Sequence, residues 1–209
     1  MIEIDDLSKQ IKGVTVLDHV TMRMKAGTIY GLRGKNGSGK TMLMRCICGL
    51  IFPTSGEIRI DGKVLGKDIS FPESIGVLLE GPSFLGEYTG FQNLKNLAKL
   101  RGDVSDEEIS DVITAVGLMP NDKRKYKKYS LGMKQRLGIA CALMGKPDIL
   151  ILDEPMNALD EKGVEQVRQL LLKEKEMGAL IILACHDRED FEFLTDEVFV
   201  VEEGRVRKE

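Results

Sequence analysis

No stretch of this chain approaches eighteen uninterrupted apolar residues, roughly the length a helix needs to cross a bilayer. The opening, MIEIDDLSKQ, is acidic and has no apolar core of the kind that marks a secretory signal. The expectation is a protein that neither spans a membrane nor carries a signal, and that reaches a membrane only through another chain. Excess charge is also missing. Lys and Arg number 30 against 33 Asp and Glu, a net of -3, so nothing pulls the chain as a whole toward nucleic acid or an anionic bilayer. No block of like charge is long enough to form a disordered tail. Cysteines are four, Cys46, Cys48, Cys141 and Cys185, all inside apolar runs such as MRCICGL and IACALM. That pattern predicts reduced core residues of a cytosolic protein and no metal site. What is present is 209 residues, 43% hydrophobic and 30% charged, enough to bury a real core in one domain with room for an inserted subdomain.

Strand and helix signals alternate along the chain. Ile2 and Ile4, then Val20, Met22 and Met24, alternate with polar residues as half-buried strands do, and KAG turns the chain into the strand TIYGL. The segment KTMLMRCICGL predicts a buried helix that stops at Gly49, and FPTSGEIRIDGK reads as loop, strand and turn. IGVLLE is a further buried strand. From about residue 90 to 146 the pattern is helical: FQNLKNLAKL, then SDEEISDVITAVGL with Ser105 as N-cap and Glu108 completing a capping box, then MKQRLGIACALMG. PDILILDEP and GALIILACH are short, fully buried strands on either side of a helix over 160–177, with Asp160 as its N-cap and Gly178 just past its end. The fold class expected is α/β. Residues 1–82 and 147–209 form a core with a mixed, largely parallel sheet and an antiparallel β subdomain on its N-terminal side, and about 83–146 form an α-helical insert.

The glycine-rich stretch GLRGKNGSGKTM contains Gly34, Gly39, Lys40 and Thr41 at the spacing of a phosphate-binding loop. Glycines there let successive backbone N–H groups turn inward around a polyanion, where side chains would obstruct. Lys40 reaches the β- and γ-phosphates, the Thr41 hydroxyl binds Mg²⁺, and the positive end of the following helix faces the phosphates. The strand ILIL ends at Asp153 and Glu154, and two carboxylates at a strand's C-terminal edge suit an Mg²⁺ ligand beside a water-polarising base.

In these segments the chain resembles the ATP-binding-cassette ATPases over nearly its whole length and in their order. GKNGSGKT is similar to their Walker A motif, ILILDEP to Walker B, NALD to the D-loop, and YSLGMKQRLGIA to the signature motif. The resemblance implies that ATP and Mg²⁺ are bound and ATP hydrolysed at a site shared by two subunits, with Ser130 and Gly132 of one contacting the γ-phosphate held by the Walker A loop of the other. Nucleotide contacts are implied at Ile11, Gly34, Asn36, Gly37, Ser38 and Gly39, and at Lys40, Thr41 and Met42. Met133 in the signature and Asp160 in the D-loop complete the set. Metal ligands would be Thr41, Asp153 and Glu80; catalytic groups would be Glu154, Lys40 and His186, the last at the family's switch-histidine position.

Departures from the family pattern carry information of their own. Ile11 stands where an aromatic ring usually stacks on adenine, and Met42 replaces a threonine. Glu80, in IGVLLEGPSF, stands where the family has glutamine, and is expected to add a third carboxylate beside Asp153 and Glu154. Together with SLGMKQRL it resembles the variant found among exporters of lantibiotic and bacitracin-like peptides. The chain ends at VEEGRVRKE, without the regulatory extension some importers carry, so export is expected. Partners implied are a second ATPase subunit, identical or related, and an integral-membrane permease that holds the protein on the cytoplasmic face of the membrane. No nucleic acid is expected. The alternative is a soluble cassette ATPase of iron–sulfur assembly or nucleic-acid processing, for which KRKYKKY (123–129), with its interleaved tyrosines, would be the contact; a solvated basic face is the competing account of that run.

Overall fold

The structure, a computed structural model, describes the chain except Asp103, His186 and Asp187, and except the side chains of Arg101, Arg188 and Asp190. The expected switch histidine, His186, thus lies outside the described residues. Two strands, β1 (Ile2–Ile11) and β2 (Val14–Met24), form the antiparallel opening pair, followed by β3 (Ile29–Arg33) and α1 (Lys40–Ile47). Next come β4 (Ser55–Ile60), β5 (Lys63–Val64) and β6 (Ile75–Leu78), then three helices in succession, α2 (Gly90–Arg101), α3 (Asp106–Ala115) and α4 (Leu131–Leu143). The remainder is β7 (Ile149–Asp153), α5 (Glu161–Glu176), β8 (Leu180–Ala184), α6 (Arg188–Leu194), β9 (Glu197–Glu202) and β10 (Arg205–Lys208).

The strands make two sheets. One is antiparallel with order β2-β1-β4-β5; the other has order β10-β9-β3-β8-β7-β6 and is parallel except for its edge strand β10. Because successive side chains of a strand point to opposite faces, β7 and β8 feed two cores at once. Ile149 and Ile151 of β7, with Leu180 and Ile182 of β8, pack with Ile2, Ile4 and Ile58 of the antiparallel sheet and with α1. Leu150, Leu152, Ile181 and Leu183 face the other way, into a core shared with Leu94, Ile109, Leu137 and Leu171 of α2, α3, α4 and α5. That double burial is why ILIL and LIIL are continuous apolar runs. Each fully buried Leu or Ile contributes about 1.5–3 kcal/mol, so both faces are firmly fixed.

Helix ends follow their local chemistry. Ser105 accepts from Glu108 N while the Glu108 carboxylate accepts from Ser105 N, the reciprocal capping box expected, and a second box joins Thr89 and Gln92. Asp160 caps α5, and Gly178 beyond it has φ 103. No helix among the described residues is long and apolar enough to cross a membrane.

The cysteine expectation needs correction in part. All four are free, and Cys46 and Cys48 are buried, which pushes their thiols up to about 11 and about 12. Cys141 of α4 and Cys185, the residue after β8, are only half-buried and pack against the margin of the helical core. The KRKYKKY run also divides. Its lysines are exposed, while Tyr126 and Tyr129 are buried in the helical core with Phe84 against Tyr126, ring centroids 5.3 Å apart. Neither tyrosine is therefore a surface platform for stacking bases.

Candidate functional site

The site begins at the C-terminal edge of the parallel sheet, where β3 runs into the glycine-rich loop. Gly39 has φ 115 and Gly37 φ 80, a left-handed region that side-chain-bearing residues avoid. A Cβ at Gly34 would lie 2.2 Å from Val201 O, and one at Gly39 2.9 Å from Val16 O. Only glycine allows the loop this close to its neighbours. The loop ends in α1, whose N-cap, Gly39, offers no side chain and whose first turn holds no acid. The helix's first N–H groups are consequently left for a ligand, at the positive end of its dipole.

Lys40 opens α1 and is 8% exposed. Its Nζ donates to Gly34 O at 2.6 Å and Lys35 O at 3.2 Å, so the ammonium sits inside the curl of the loop. Ser38 is fixed by its backbone: its N–H donates to Lys35 O, and its carbonyl accepts from Gly204 N at 2.9 Å. Its Oγ is buried and has no hydrogen-bond partner among the described residues. Thr41, on the next position of α1, donates from Oγ1 to Asp153 Oδ2 at 2.7 Å. This contact joins two sequence motifs 112 residues apart. Glu154 follows in a left-handed conformation, φ 53, with its N–H donating to Ala184 O of β8 at 2.9 Å.

These residues line one cleft of about 680 Å³. Of the residues expected to bind nucleotide or metal or to catalyse, Asn36, Gly37, Gly39, Lys40, Thr41, Met42, Glu80, Asp153 and Glu154 face it. Gly34 and Ser38 border a second cleft, about 1230 Å³, on the other side of the loop. Ser130 N-caps α4, its Oγ accepting from Met133 N at 3.2 Å, and Gly132 follows in the first turn. Asp160 accepts from Gly163 N at 3.1 Å and from Arg136 Nη2 at 2.8 Å. The Gly163 N–H and the Arg136 guanidinium hold its carboxyl below the usual range.

Two expected residues sit differently from their assigned roles. Ile11 is at the tip of the β1–β2 hairpin, 38% exposed, and Val16 of β2 lines the cleft in its place. Glu80 does line the cleft, with φ 59, but its carboxylate pairs with Arg45 of α1 at 2.5 Å. The third carboxylate is therefore turned to a guanidinium. Among the described residues no group of three or more His, Cys, Asp or Glu is gathered closely enough to hold a metal. Sequence reasoning also missed Gln135, Asn157 and Ala158 in the lining. Gln135 had a signal, being a polar residue that the apolar pattern of α4 buries.

Comparison with known proteins agrees with this arrangement. Residues 17–157 match the profile of the ABC transporter family. The chain is 52% identical over 206 residues to YybJ of Bacillus subtilis (strain 168), an uncharacterized ABC transporter ATP-binding protein, covering 99% of this chain and 94% of that one. It is 40% identical over 211 residues to the bacitracin transport ATP-binding protein BcrA of Enterococcus faecalis, covering 100% of this chain and 68% of the relative. Among solved structures it is similar to the ATP-binding cassette MJ0796 in a dimeric post-hydrolysis state bound to ADP and Pi, with TM-score 0.90 and 25% identity over 100% of this chain and 98% of that one. The loop, the Thr41–Asp153 contact and these similarities together place the chain in the ABC transporter family, as an ATP-binding subunit that hydrolyses ATP to drive transport.

Proposed function

We propose that the chain powers export of peptides of the bacitracin kind through a separate membrane permease, as a homodimer with ATP sandwiched between its subunits. It works in this reading as a single cassette over residues 1–209, held on the cytoplasmic face of the membrane by the permease, with about 83–146 as the insert carrying the signature. The observation that carries the chemistry is the 2.7 Å contact of Thr41 with Asp153 beside the buried Lys40.

The residues fit MgATP. A hydroxyl and a carboxylate are the hard oxygen donors that Mg²⁺ takes, and Thr41 and Asp153 would hold it. When bound, the ion neutralises charge on the phosphates. Lys40 and the amides of Gly37, Ser38 and Gly39 bind the phosphates, a role supported by the curl of the loop around Nζ. Asn36 and Met42 border them, and Val16 offers the base an apolar surface; Ile11 is assigned to the base by the resemblance alone. Glu154 polarises the attacking water, a contribution on the order of 10²–10⁴-fold for general-base catalysis. Glu80, neutralised by Arg45, lies at the outer end of the metal site. Ser130, Gly132 and Met133 of the partner subunit present the N-terminus of its α4 to the γ-phosphate, with Asp160 of the D-loop at the same interface. His186 is assigned to the γ-phosphate by the resemblance alone.

Hydrolysis removes the group that both subunits grip, so the closed dimer opens, and that motion is the output delivered to the permease. The peptide class is supported by the similarity to BcrA. Cells carrying this chain with its membrane partner should tolerate more bacitracin than cells carrying the Glu154→Gln variant. Equal tolerance would remove this peptide class as cargo.

A further inference from the structure

Consecutive residues of α4 grip both ends of the segment that follows the parallel strand β7. Gln135, 7% exposed, donates from its single amide nitrogen to Glu154 O at 3.0 Å and Pro155 O at 3.1 Å. Both partners are carbonyl oxygens, so only the NH₂ end of the side chain can face them. Arg136 donates to Asp160 Oδ1 at 2.8 Å and, through its other nitrogen, to Val116 O at 2.8 Å. One turn earlier on α4, a Cβ on Gly132 would lie 2.8 Å from Ala158 O. The segment 154–160 thus lies along one face of α4 and touches it at its start, near its middle and at its end.

The first of these contacts bears on the chemistry. Glu154 is held at φ 53, a conformation that residues with side chains adopt only when their surroundings impose it. Its N–H is fixed by Ala184 O of β8, and its C=O accepts from Gln135 Nε2 at 3.0 Å and from Asn157 N, within its own turn, at 3.2 Å. The Asn157 bond lies within the turn and moves with it, whereas the Gln135 bond ties the turn to α4; removing the latter loosens the peptide after Glu154 and lets it relax toward an ordinary conformation, which would swing the carboxylate. We propose that Gln135 is a positioning residue for ATP hydrolysis: from the signature helix, it fixes the backbone of Glu154 and so aims the carboxylate at the attacking water. This rests on the assignment of Glu154 as the group that polarises that water. It follows that the helix whose N-terminus reads one nucleotide in the dimer also sets the base acting on the other.

The test is a double-mutant cycle on the purified full-length chain, with Gln135→Met, Glu154→Gln and the pair. Methionine keeps the length and volume of glutamine and removes the donor. Turnover at saturating ATP is measured in a single-turnover format alongside ATP affinity. A misplacement of about 1 Å can cost on the order of 100-fold, so Q135M should lower the rate constant tenfold or more with ATP affinity within about twofold. In the Glu154→Gln background, Q135M should change the residual rate less than about twofold, because its effect passes through the carboxylate already removed. Wild-type turnover in Q135M, or an equal loss in both backgrounds, overturns the proposal. A Glu154→Gln protein that keeps wild-type turnover overturns instead the assignment of the base. Should Q135M prove insoluble, Gln135→Asn, which keeps the amide but falls one methylene short of the two carbonyls, carries the same cycle with the same outcomes.

Discussion

Replacing Thr41 by valine removes one hydroxyl and leaves almost the same shape on α1. The helix tolerates the change, since threonine and valine have similar helical propensity. What is lost is the 2.7 Å bond from Oγ1 to the half-buried Asp153 carboxylate. A hydrogen bond to a charged group contributes about 1.5–3 kcal/mol. In metal-free buffer that loss should lower the thermal midpoint by about 3–12 °C, taking about 2–4 °C per kcal/mol for a chain of this size. The same substitution deletes an oxygen from the metal site. If half of that interaction, about 0.75–1.5 kcal/mol, is recovered in the metal-bound state, the Mg²⁺ concentration for half-maximal ATPase activity rises about 4- to 13-fold, since about 1.4 kcal/mol is a factor of ten. Thermal scanning without metal and an activity titration against Mg²⁺ read the two effects separately, and Thr41→Ser should restore both. A T41V protein with an unchanged midpoint and an unchanged Mg²⁺ curve would show that the Thr41–Asp153 contact is incidental and that the ion is held elsewhere.

Lys40→Ala should weaken ATP binding itself, because the ammonium faces the ground-state phosphates; nucleotide titration decides this, and undiminished affinity would remove Lys40 from the binding role. Glu80→Gln should shift the Mg²⁺ titration by less than about fivefold, since an exposed ion pair contributes only about 0.2–1 kcal/mol and Arg45 already neutralises this carboxylate; a shift of about tenfold or more would place Glu80 on the metal. His19 is exposed with its Nδ1 2.6 Å from Asp6 Oδ1, and that hydrogen bond, with the Asp6 charge, raises its pKa. The stabilisation it gives is fully present below the unfolded value of about 6.5 and fades as pH rises through the higher folded value; an NMR titration should show the shift, and Asp6→Asn should remove most of it, leaving the smaller upward push of Asp18.

Much of this was legible in the sequence wherever a local rule decided the outcome. The capping box at Ser105 and Glu108, the N-cap at Asp160 and the stop at Gly49 each depend on residues within one turn, and each is found as expected. The runs ILIL and LIIL announce burial on both faces because no polar residue interrupts them. The opening pair β1 and β2 was legible too, but its register was not: shifts between Ile4 and Leu7 and again before Gln10 twist the hairpin, so that Val16 rather than Ile11 turns into the cleft. The direction of Glu80 was hidden for a related reason. Its partner, Arg45, lies 35 residues earlier on a helix whose rotation is set by Leu43, Met44 and Ile47 in the core. The tyrosines of KRKYKKY show the same limit, since a lysine-rich string reads as surface until the fold places Phe84 against Tyr126. Contacts such as Gln135 with the Glu154 carbonyl depend on how α4 crosses the end of β7, and no spacing along the chain encodes that.

In the proposed mechanism ATP is shared between two copies of this chain, and Glu154 acts only after the copies close. Static light scattering on the purified Glu154→Gln protein tests this directly. It should be a monomer without nucleotide and a dimer in saturating MgATP, because hydrolysis is blocked while Lys40, Thr41 and the signature helix remain intact. A protein that binds ATP yet stays monomeric would contradict the shared site.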